Sequence, residues 1–565
     1  MQRTLAIVGL AMLIVATAAC SGGVDHAEPP SRPRPRIDID PEDYVTDYQS
    51  PTREDGGGMS GRSYSSAAPS SRPPGAAVPV EPRPPGFLED NTFTHPGASP
   101  FVRTTSDPRS TFALDVDTGS YSVARTFLRQ GYRPDPASVR TEEWVNAFDG
   151  GQRPPTKGDL GVTVDGAASP FTGDGTRLVR IGVRARDVTE AQRPAANLTF
   201  VVDTSGSMDI RNRLGLAKAS LALLVRNLRD DDTISIVTFS DEAGVVLEPT
   251  PVRHAQTIID AIDRLSPGNS TNLEAGLRTG YQQAQRSFRK GGINALILAS
   301  DGVANVGTTG PGSLAAQIQK RSLQGIHLVT VGYGMGNYND TTMEQLADRG
   351  DGFYSYVDTY REAERLFGHQ LTSTLSVVAD DAKAQVTFDP RQVSAYRLVG
   401  YDNRAVDDDQ FQNDKIDAGE IGAGHTVTAL YEIRPSSPVA LASAGPSEAT
   451  AERQKPVDLG RVALRYRSTA TGRVVAQTTP IRVADLAPTF ARATPGLRLA
   501  ATVAGLAEVL GQHPVAAERH LDLGKVEAVA RQVASDQNPS AVPGKATATD
   551  LLSLIDRAKR ARRPR

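Results

Sequence analysis

The side chains best placed for chemistry are Asp203, Ser205 and Ser207, at the end of the run Leu198-Thr-Phe-Val-Val-Asp-Thr-Ser-Gly-Ser207. Apolar and β-branched residues that stop abruptly at polar ones predict a buried strand opening into a loop. The loop receives oxygen-bearing side chains at alternate positions. Such oxygens do not suit zinc or an iron–sulfur cluster; they suit a hard divalent cation that takes carboxylate, hydroxyl and water together. Two later stretches extend the set. Ser266-Pro-Gly-Asn-Ser-Thr-Asn-Leu-Glu-Ala-Gly-Leu277 is a glycine-containing loop running into a helix, and it carries Thr271. Ile293-Asn-Ala-Leu-Ile-Leu-Ala-Ser-Asp-Gly302 is a second apolar strand, ending in Asp301. Any one segment alone reads as a helix cap or an Asx turn. In an open α/β sheet, however, strand ends at the carboxyl edge converge on one crevice. Asp203, Ser205, Ser207, Thr271 and Asp301 are therefore expected around one ion.

Asp-Thr-Ser-Gly-Ser, then a threonine in a glycine-containing loop, then Asp-Gly after a strand, in that order, resembles the von Willebrand factor type A domain with its metal-ion-dependent adhesion site. The resemblance implies hydroxyls from Ser205, Ser207 and Thr271, with Asp203 and Asp301 bound directly or through water. It implies Mg²⁺ as the usual ion, Mn²⁺ or Ca²⁺ as alternatives, and a sixth position left for a partner's carboxylate. The third segment reads Ser-Asp-Gly where Thr-Asp-Gly is commoner; the carboxylate is kept.

A chain of 565 residues allows several domains. A formal net charge of −3 gives no argument for nucleic-acid binding, and none is expected. The single cysteine, Cys20, excludes an internal disulfide framework and a cysteine-based zinc site. Met1-Gln-Arg-Thr4 is a short positive start, and Leu5 to Ala19 is an apolar run too short for a comfortable span. Ala18 and Ala19 precede Cys20, and Ser21-Gly-Gly23 follows. This resembles a bacterial lipoprotein signal with its lipobox, with Thr17 where leucine is more usual. It implies a product that begins at Cys20, carries lipid there and is held in the cell envelope on the extracytoplasmic side. The other reading is an ordinary secretory signal with a chance cysteine. No later segment is long and apolar enough to span a bilayer.

Organisation follows from shifts of composition. Residues 1–19 read as the signal peptide. Residues 20–104, with Pro-Pro-Ser-Arg-Pro-Arg-Pro-Arg36 and Gly56-Gly-Gly58, cannot build a core and read as a disordered tether. As a flexible coil, about 80 residues reach roughly 50 Å. Residues 105–192 begin with Ser110-Thr-Phe-Ala-Leu-Asp-Val-Asp-Thr-Gly-Ser-Tyr121, followed by Val139-Arg-Thr-Glu-Glu-Trp-Val-Asn-Ala-Phe148. This pair resembles the segment before the A domain in a family of bacterial lipoproteins, some of which are labelled calcium-activated chloride channel-like. Residues 193–376 alternate strands with helices, which predicts a doubly wound, mostly parallel, Rossmann-like sheet. Residues 377–485 alternate inward and outward as β-strands and read as a sandwich-like layer. Residues 160–186 are too few to bury both faces of their own sheet, so they are expected to join that layer, making the α/β domain an insertion. Residues 486–565 are helical and end in a basic tail, Arg557-Ala-Lys-Arg-Ala-Arg-Arg-Pro-Arg565, read as a solvated terminus or a contact for anionic surfaces.

Four motifs are discounted. Asp115-Val-Asp-Thr-Gly-Ser-Tyr-Ser122 places Gly119 where a second metal loop needs serine. Gly332-Tyr-Gly-Met-Gly336 is followed by Asn337-Tyr-Asn-Asp340 in place of a nucleotide-binding helix start. Arg349-Gly-Asp351 reads as a helix cap and turn. Asp407-Asp-Asp409 with Asp414 lacks calcium-loop spacing and reads as a solvated loop.

For function, no Gly-x-Ser-x-Gly elbow or His-Glu-x-x-His helix is present, and no positioned base accompanies the expected cation. Catalysis is not expected. The favoured reading is a membrane-anchored binding, adhesion or scaffold module whose cation bridges to an acidic group on an envelope or extracellular protein. The alternative is a non-catalytic accessory subunit of an envelope complex or a channel-like protein.

Overall fold

In a computed structural model, which describes residues 39–49, 93 and 99–562 apart from 115, 269, 303–310, 335–339, 402–405, 415–417, 438–456 and 536–544, the chain enters a β layer, leaves it for an α/β domain, and returns. Before the α/β domain come helix α1 (Asp43–Thr46), strands β1 (Val102–Arg103) and β2 (Arg109–Ala113), helices α2 (Gly119–Arg129) and α3 (Thr141–Ala147), and strands β3 (Leu160–Ala168) and β4 (Arg177–Ala185). The α/β domain runs β5 (Ala196–Asp203), α4 (Leu216–Asn227), β6 (Thr233–Phe239), β7 (Ala243–Pro251), α5 (Ala255–Asp263), α6 (Leu273–Arg286), β8 (Ile293–Ser300), α7 (Pro311–Ser322), β9 (His327–Tyr333), α8 (Asp340–Arg349), β10 (Tyr354–Val357), α9 (Tyr360–Glu364) and α10 (Leu371–Leu375). The return supplies β11 (Val377–Phe388), β12 (Val393–Val399), β13 (Gly419–Gly422), β14 (Thr426–Pro435), β15 (Asp458–Ser468), β16 (Val474–Arg482) and β17 (Leu486–Ala487). Helices Pro495–Leu510, Pro514–Glu518, Leu523–Ala534 and Ala548–Arg560 end it.

The α/β sheet has the order β10-β9-β8-β5-β6-β7, parallel throughout except for the edge strand β7. β5 shows why such a strand lies at the centre: all of its side chains are buried. Alternate residues Ala196, Leu198, Phe200 and Val202 face the core under α4 and α5, while Val201 faces the opposite core under α6, α7 and α8. The polar residues on that second face are satisfied, Thr199 by the Ser235 hydroxyl at 2.8 Å and Asn197 by the Ala284 carbonyl at 3.2 Å. From β5 the sheet grows to β6 on one side and to β8 on the other. Such a reversal opens a crevice at the carboxyl end of the strand, and Asp203 is the last residue of β5.

The β layer is a pair of sheets. One has the order β1-β12-β14-β4-β3-β17; the other is β13-β11-β15-β16, with β2 also paired to β11. β4 runs antiparallel to β14 from Arg177↔Ile433 to Arg184↔Thr426. Strands from before and after the α/β domain thus share a sheet, and the α/β domain is inserted between them. Phe112, Ile181, Val386, Tyr431 and Val462 meet in the core between the two sheets. A third core joins α2 and α3 to the C-terminal helices. Its centre is the fully buried Trp144, set edge-on to Tyr121 at 5.7 Å.

One expectation is corrected. Within the supposed tether, residues 39–49 are ordered: α1 packs on α4, and Ile39, Tyr44, Val45 and Tyr48 pack against the α/β core. The loop of Asp407, Asp409 and Asp414 is solvent-exposed as expected, and it is also fastened to strands: Asp408 accepts the Thr111 hydroxyl at 2.5 Å and Asp414 pairs with Arg465 at 2.7 Å. Cys20 and the signal segment lie outside the described residues. Among the described residues, no helix is long and apolar enough to cross a membrane.

Candidate functional site

Asp203 is fully buried at the end of β5, and Asp301, 1% exposed, follows β8 directly. The two strands are hydrogen-bonded neighbours, which brings their ends side by side. One Asp203 oxygen, Oδ1, accepts the Ser205 backbone N–H at 2.8 Å, an Asx turn that bends the chain out of the strand. The other, Oδ2, accepts the Ser300 hydroxyl at 2.7 Å. The turn carries Ser205 and Ser207 to the same side, with their Oγ atoms 3.0 Å apart.

The Thr271 loop docks onto this turn through its backbone. The Gly268 N–H donates to the Thr204 carbonyl, and the Asn272 N–H donates to the Ser240 carbonyl at 2.8 Å. Glycine is required at 268 because a Cβ there would lie 2.7 Å from the Ser240 hydroxyl. Asn272 also caps α6, its side chain accepting the Ala275 N–H at 3.1 Å. Thr271 is buried between these two anchors. Among the described residues its hydroxyl has no hydrogen-bond partner. Asp203, Ser205, Ser207 and Asp301 are thus brought together by side chains and strand ends, and Thr271 is joined to them by its loop's backbone.

Two participants escaped the sequence reading. Ser300 orients Asp203, and it is the residue at which the Ser-Asp-Gly segment departs from Thr-Asp-Gly. A hydroxyl is what that position contributes, and either residue type has one. Arg213 lies in a π-helical turn, Arg211–Gly215, ahead of α4. Its Nη1 donates to Asp301 Oδ2 at 2.6 Å and to the Ser207 carbonyl at 2.7 Å, and the side chain is buried. No periodicity or motif marks an arginine at a helix entrance as a partner for a carboxylate 88 positions away.

The electrostatics test whether a cation fits. Burial, and then the charge of Asp301, push the Asp203 carboxyl up to about 7, against the Ser205 and Ser300 hydrogen bonds that favour its ionised form. Two buried carboxylates this close repel one another, and a divalent cation between them removes the repulsion. The neighbouring donors are hydroxyls, matching a hard cation and not a soft one. Among the described residues no cluster of three His, Cys, Asp or Glu side chains forms, so an ion here would draw on two carboxylates and the hydroxyls of Ser205, Ser207 and Thr271.

The profile of the von Willebrand factor type A domain matches residues 197–369. A profile described as von Willebrand factor matches residues 88–180, and one described as the C-terminal region of the uncharacterized protein YfbK matches 373–560. The chain is 41% identical over 343 residues to uncharacterized protein YfbK of Escherichia coli (strain K12), covering 59% of this chain and 60% of that one. It is 30% identical over 202 residues to uncharacterized protein sll0103 of Synechocystis sp., covering 36% of this chain and 47% of that one. In each case less than two thirds of the relative's own length is spanned. Among solved structures, von Willebrand factor type A from Catenulispora acidiphila aligns with a TM-score of 0.40 at 16% identity, covering 74% of this chain and 99% of that one.

Proposed function

We propose that the crevice of the von Willebrand factor type A domain matched over residues 197–369 holds a divalent cation, Mg²⁺ by preference, through which the chain binds an acidic side chain of a protein partner. The observation that carries this reading is the pair of buried carboxylates, Asp203 and Asp301, at adjacent strand ends with the Ser205 and Ser207 hydroxyls beside them. When bound, the cation supplies a point of positive charge that a partner carboxylate can share. The chain's own residues set the specificity for it. Ser300 and the Ser205 N–H fix both oxygens of Asp203, so the carboxylate enters the site already oriented. Arg213 holds Asp301 and the Ser207 carbonyl, which keeps the turn from relaxing into the crevice.

Calorimetry with MnCl₂ and MgCl₂ tests the cation. One-site uptake is expected, lost in Asp203→Ala and weakened at least tenfold in Ser205→Ala. Uptake unchanged in both variants overturns the site. Capture of partners from envelope extract with and without chelator tests the bridge; partners retained equally in chelator count against it.

We further propose that Cys20 is the lipid-bearing residue, and that the folded part lies outside the cytoplasm on a tether. Incorporation of labelled palmitate, abolished by Cys20→Ser, is the expected result. Label retained in that variant removes the anchor from the reading.

A further inference from the structure

A second cavity, remote in sequence from the crevice residues, lies where three parts of the chain meet. Its walls come from α2, from α9 and the turn after it, and from the start and middle of the last helix, Ala548–Arg560. Its volume is about 390 Å³. Six basic side chains line it: Arg125, Arg129, Arg361, Arg365, Lys545 and Arg557. Three acidic ones, Glu362, Glu364 and Asp550, stand against them.

The acidic groups are mostly engaged. Glu362 holds Arg125 at 3.0 Å and also pairs with Arg365. Asp550 is committed to the Thr547 cap at the start of the last helix. Asp358, just behind the wall, takes Arg125 at 2.7 Å and Arg129 at 2.9 Å. Arg361 and Arg557 are exposed and form no ion pair among the described residues. Among the described residues, Lys545 donates only to a neutral group, the Asn146 carbonyl, at 2.5 Å. Burial first, and then the charge of Arg365, bring its ammonium down to about 8, against the pull of Asp149.

We propose that this cavity binds a phosphate-bearing anion. Five of the six basic groups are arginines, whose planar forks match phosphate oxygens two at a time. With Asp358 counted beside Glu362, Glu364 and Asp550, six cations still exceed four carboxylates by two, which suits a multiply charged anion better than a lone carboxylate. The buried face of Tyr121 and Leu554 provide an apolar wall for whatever carries the phosphate. An anion here would tie the last helix of the chain to α2 and to α9, near the end of the α/β domain. This site is independent of the cation crevice.

The test is calorimetry on the full chain in EDTA at fixed ionic strength, with pyrophosphate as the soluble anion and glycerophosphoglycerol as a soluble phospholipid headgroup. One-site binding of at least one of them is expected, weakened tenfold or more by Arg361→Gln with Arg557→Gln. Both side chains are exposed, so the unfolding midpoint of the unliganded variant should match that of the parent. Tighter binding of pyrophosphate assigns the site to a soluble phosphate; tighter binding of the headgroup assigns it to lipid. Binding of neither, or binding that both substitutions leave unchanged, overturns the proposal.

Discussion

At the scale of single residues, Arg213 decides how the crevice tolerates two buried carboxylates. Its guanidinium neutralises Asp301 and leaves Asp203 dependent on hydrogen bonds alone. Removing one member of a buried pair strands the other charge, at about 3–5 kcal/mol. Arg213→Ala should therefore lower the unfolding midpoint sharply in EDTA, and Mg²⁺ should restore much of the loss by taking over the charge balance. A thermal melt with and without Mg²⁺ checks this; a loss that Mg²⁺ leaves untouched would mean that Arg213 acts only by packing. Ser300→Ala removes a hydroxyl from a buried carboxylate, a loss of about 1–3 kcal/mol, whereas Ser300→Thr keeps the donor. Chemical denaturation of both variants should rank them in that order. Asp203, Ser205 and Ser207 were legible because a buried strand must end in a loop, and the residues just past it show their function by type. Arg213 and Ser300 act through pairing across separate segments, and spacing along the chain does not encode that.

At the scale of elements, the joint beside His425 carries a pH dependence. His425 precedes β14, and its ring Nδ1 is buried without a hydrogen-bond partner among the described residues. Burial, then the charges of Lys545 and Arg365, hold the imidazole down to about 3, from 6.5. Between those values the unfolded chain binds a proton that the native chain refuses. The stabilisation is therefore complete above about 6.5 and is lost as pH falls toward 3, at up to about 1.4 kcal/mol per pH unit. Asp380 works the other way: burial and Asp381 raise it from 3.8 to about 6, so its contribution is present below 3.8 and fades as pH rises through 6. The readout is thus the difference between chains. His425→Gln should lose less stability than the parent between pH 6.5 and 4.5, measured by urea titration; equal losses would refute the assignment. The segment 39–49 makes a second element-level case. Tyr48 donates to Asp209 at 2.9 Å and Tyr44 to Asp263 at 2.5 Å, which fastens α1 beside the metal-loop turn. Tyr44→Ala with Tyr48→Ala should raise hydrogen exchange over 39–49 to that of a free peptide while β5 and β8 stay protected. Protection kept in 39–49 would mean that other contacts hold it. Proline-rich composition hid this segment, although Tyr44 and Tyr48 stand one helical repeat apart.

At the scale of the whole molecule, alternation of strands and helices made the α/β domain legible, and the alternating β pattern made the layer legible. Which strand joins which of its two sheets was not legible, because register, as between β4 and β14, is set by packing across an insertion. The joint with the C-terminal helices was hidden for a related reason. Beside its apolar core it holds buried ion pairs, with Arg397 on Glu432 at 2.9 Å and on Glu508 at 2.7 Å, and Arg519 also on Glu432. Such groups read in sequence as solvent-facing. Arg397→Met should leave both glutamates without that partner and cost about 3–5 kcal/mol, seen in calorimetry as earlier unfolding of the C-terminal helices.

The insertion has a mechanical consequence. The α/β domain is entered from β4 and left through α10 into β11, and these two strands belong to different sheets. A ligand tugging on the crevice therefore loads both sheets of the sandwich at once, each along a strand flanked by neighbours on both sides. Such strands shear as a block and do not unzip one bond at a time, so in a force-clamp experiment the α/β domain should give way well before the sandwich that anchors it.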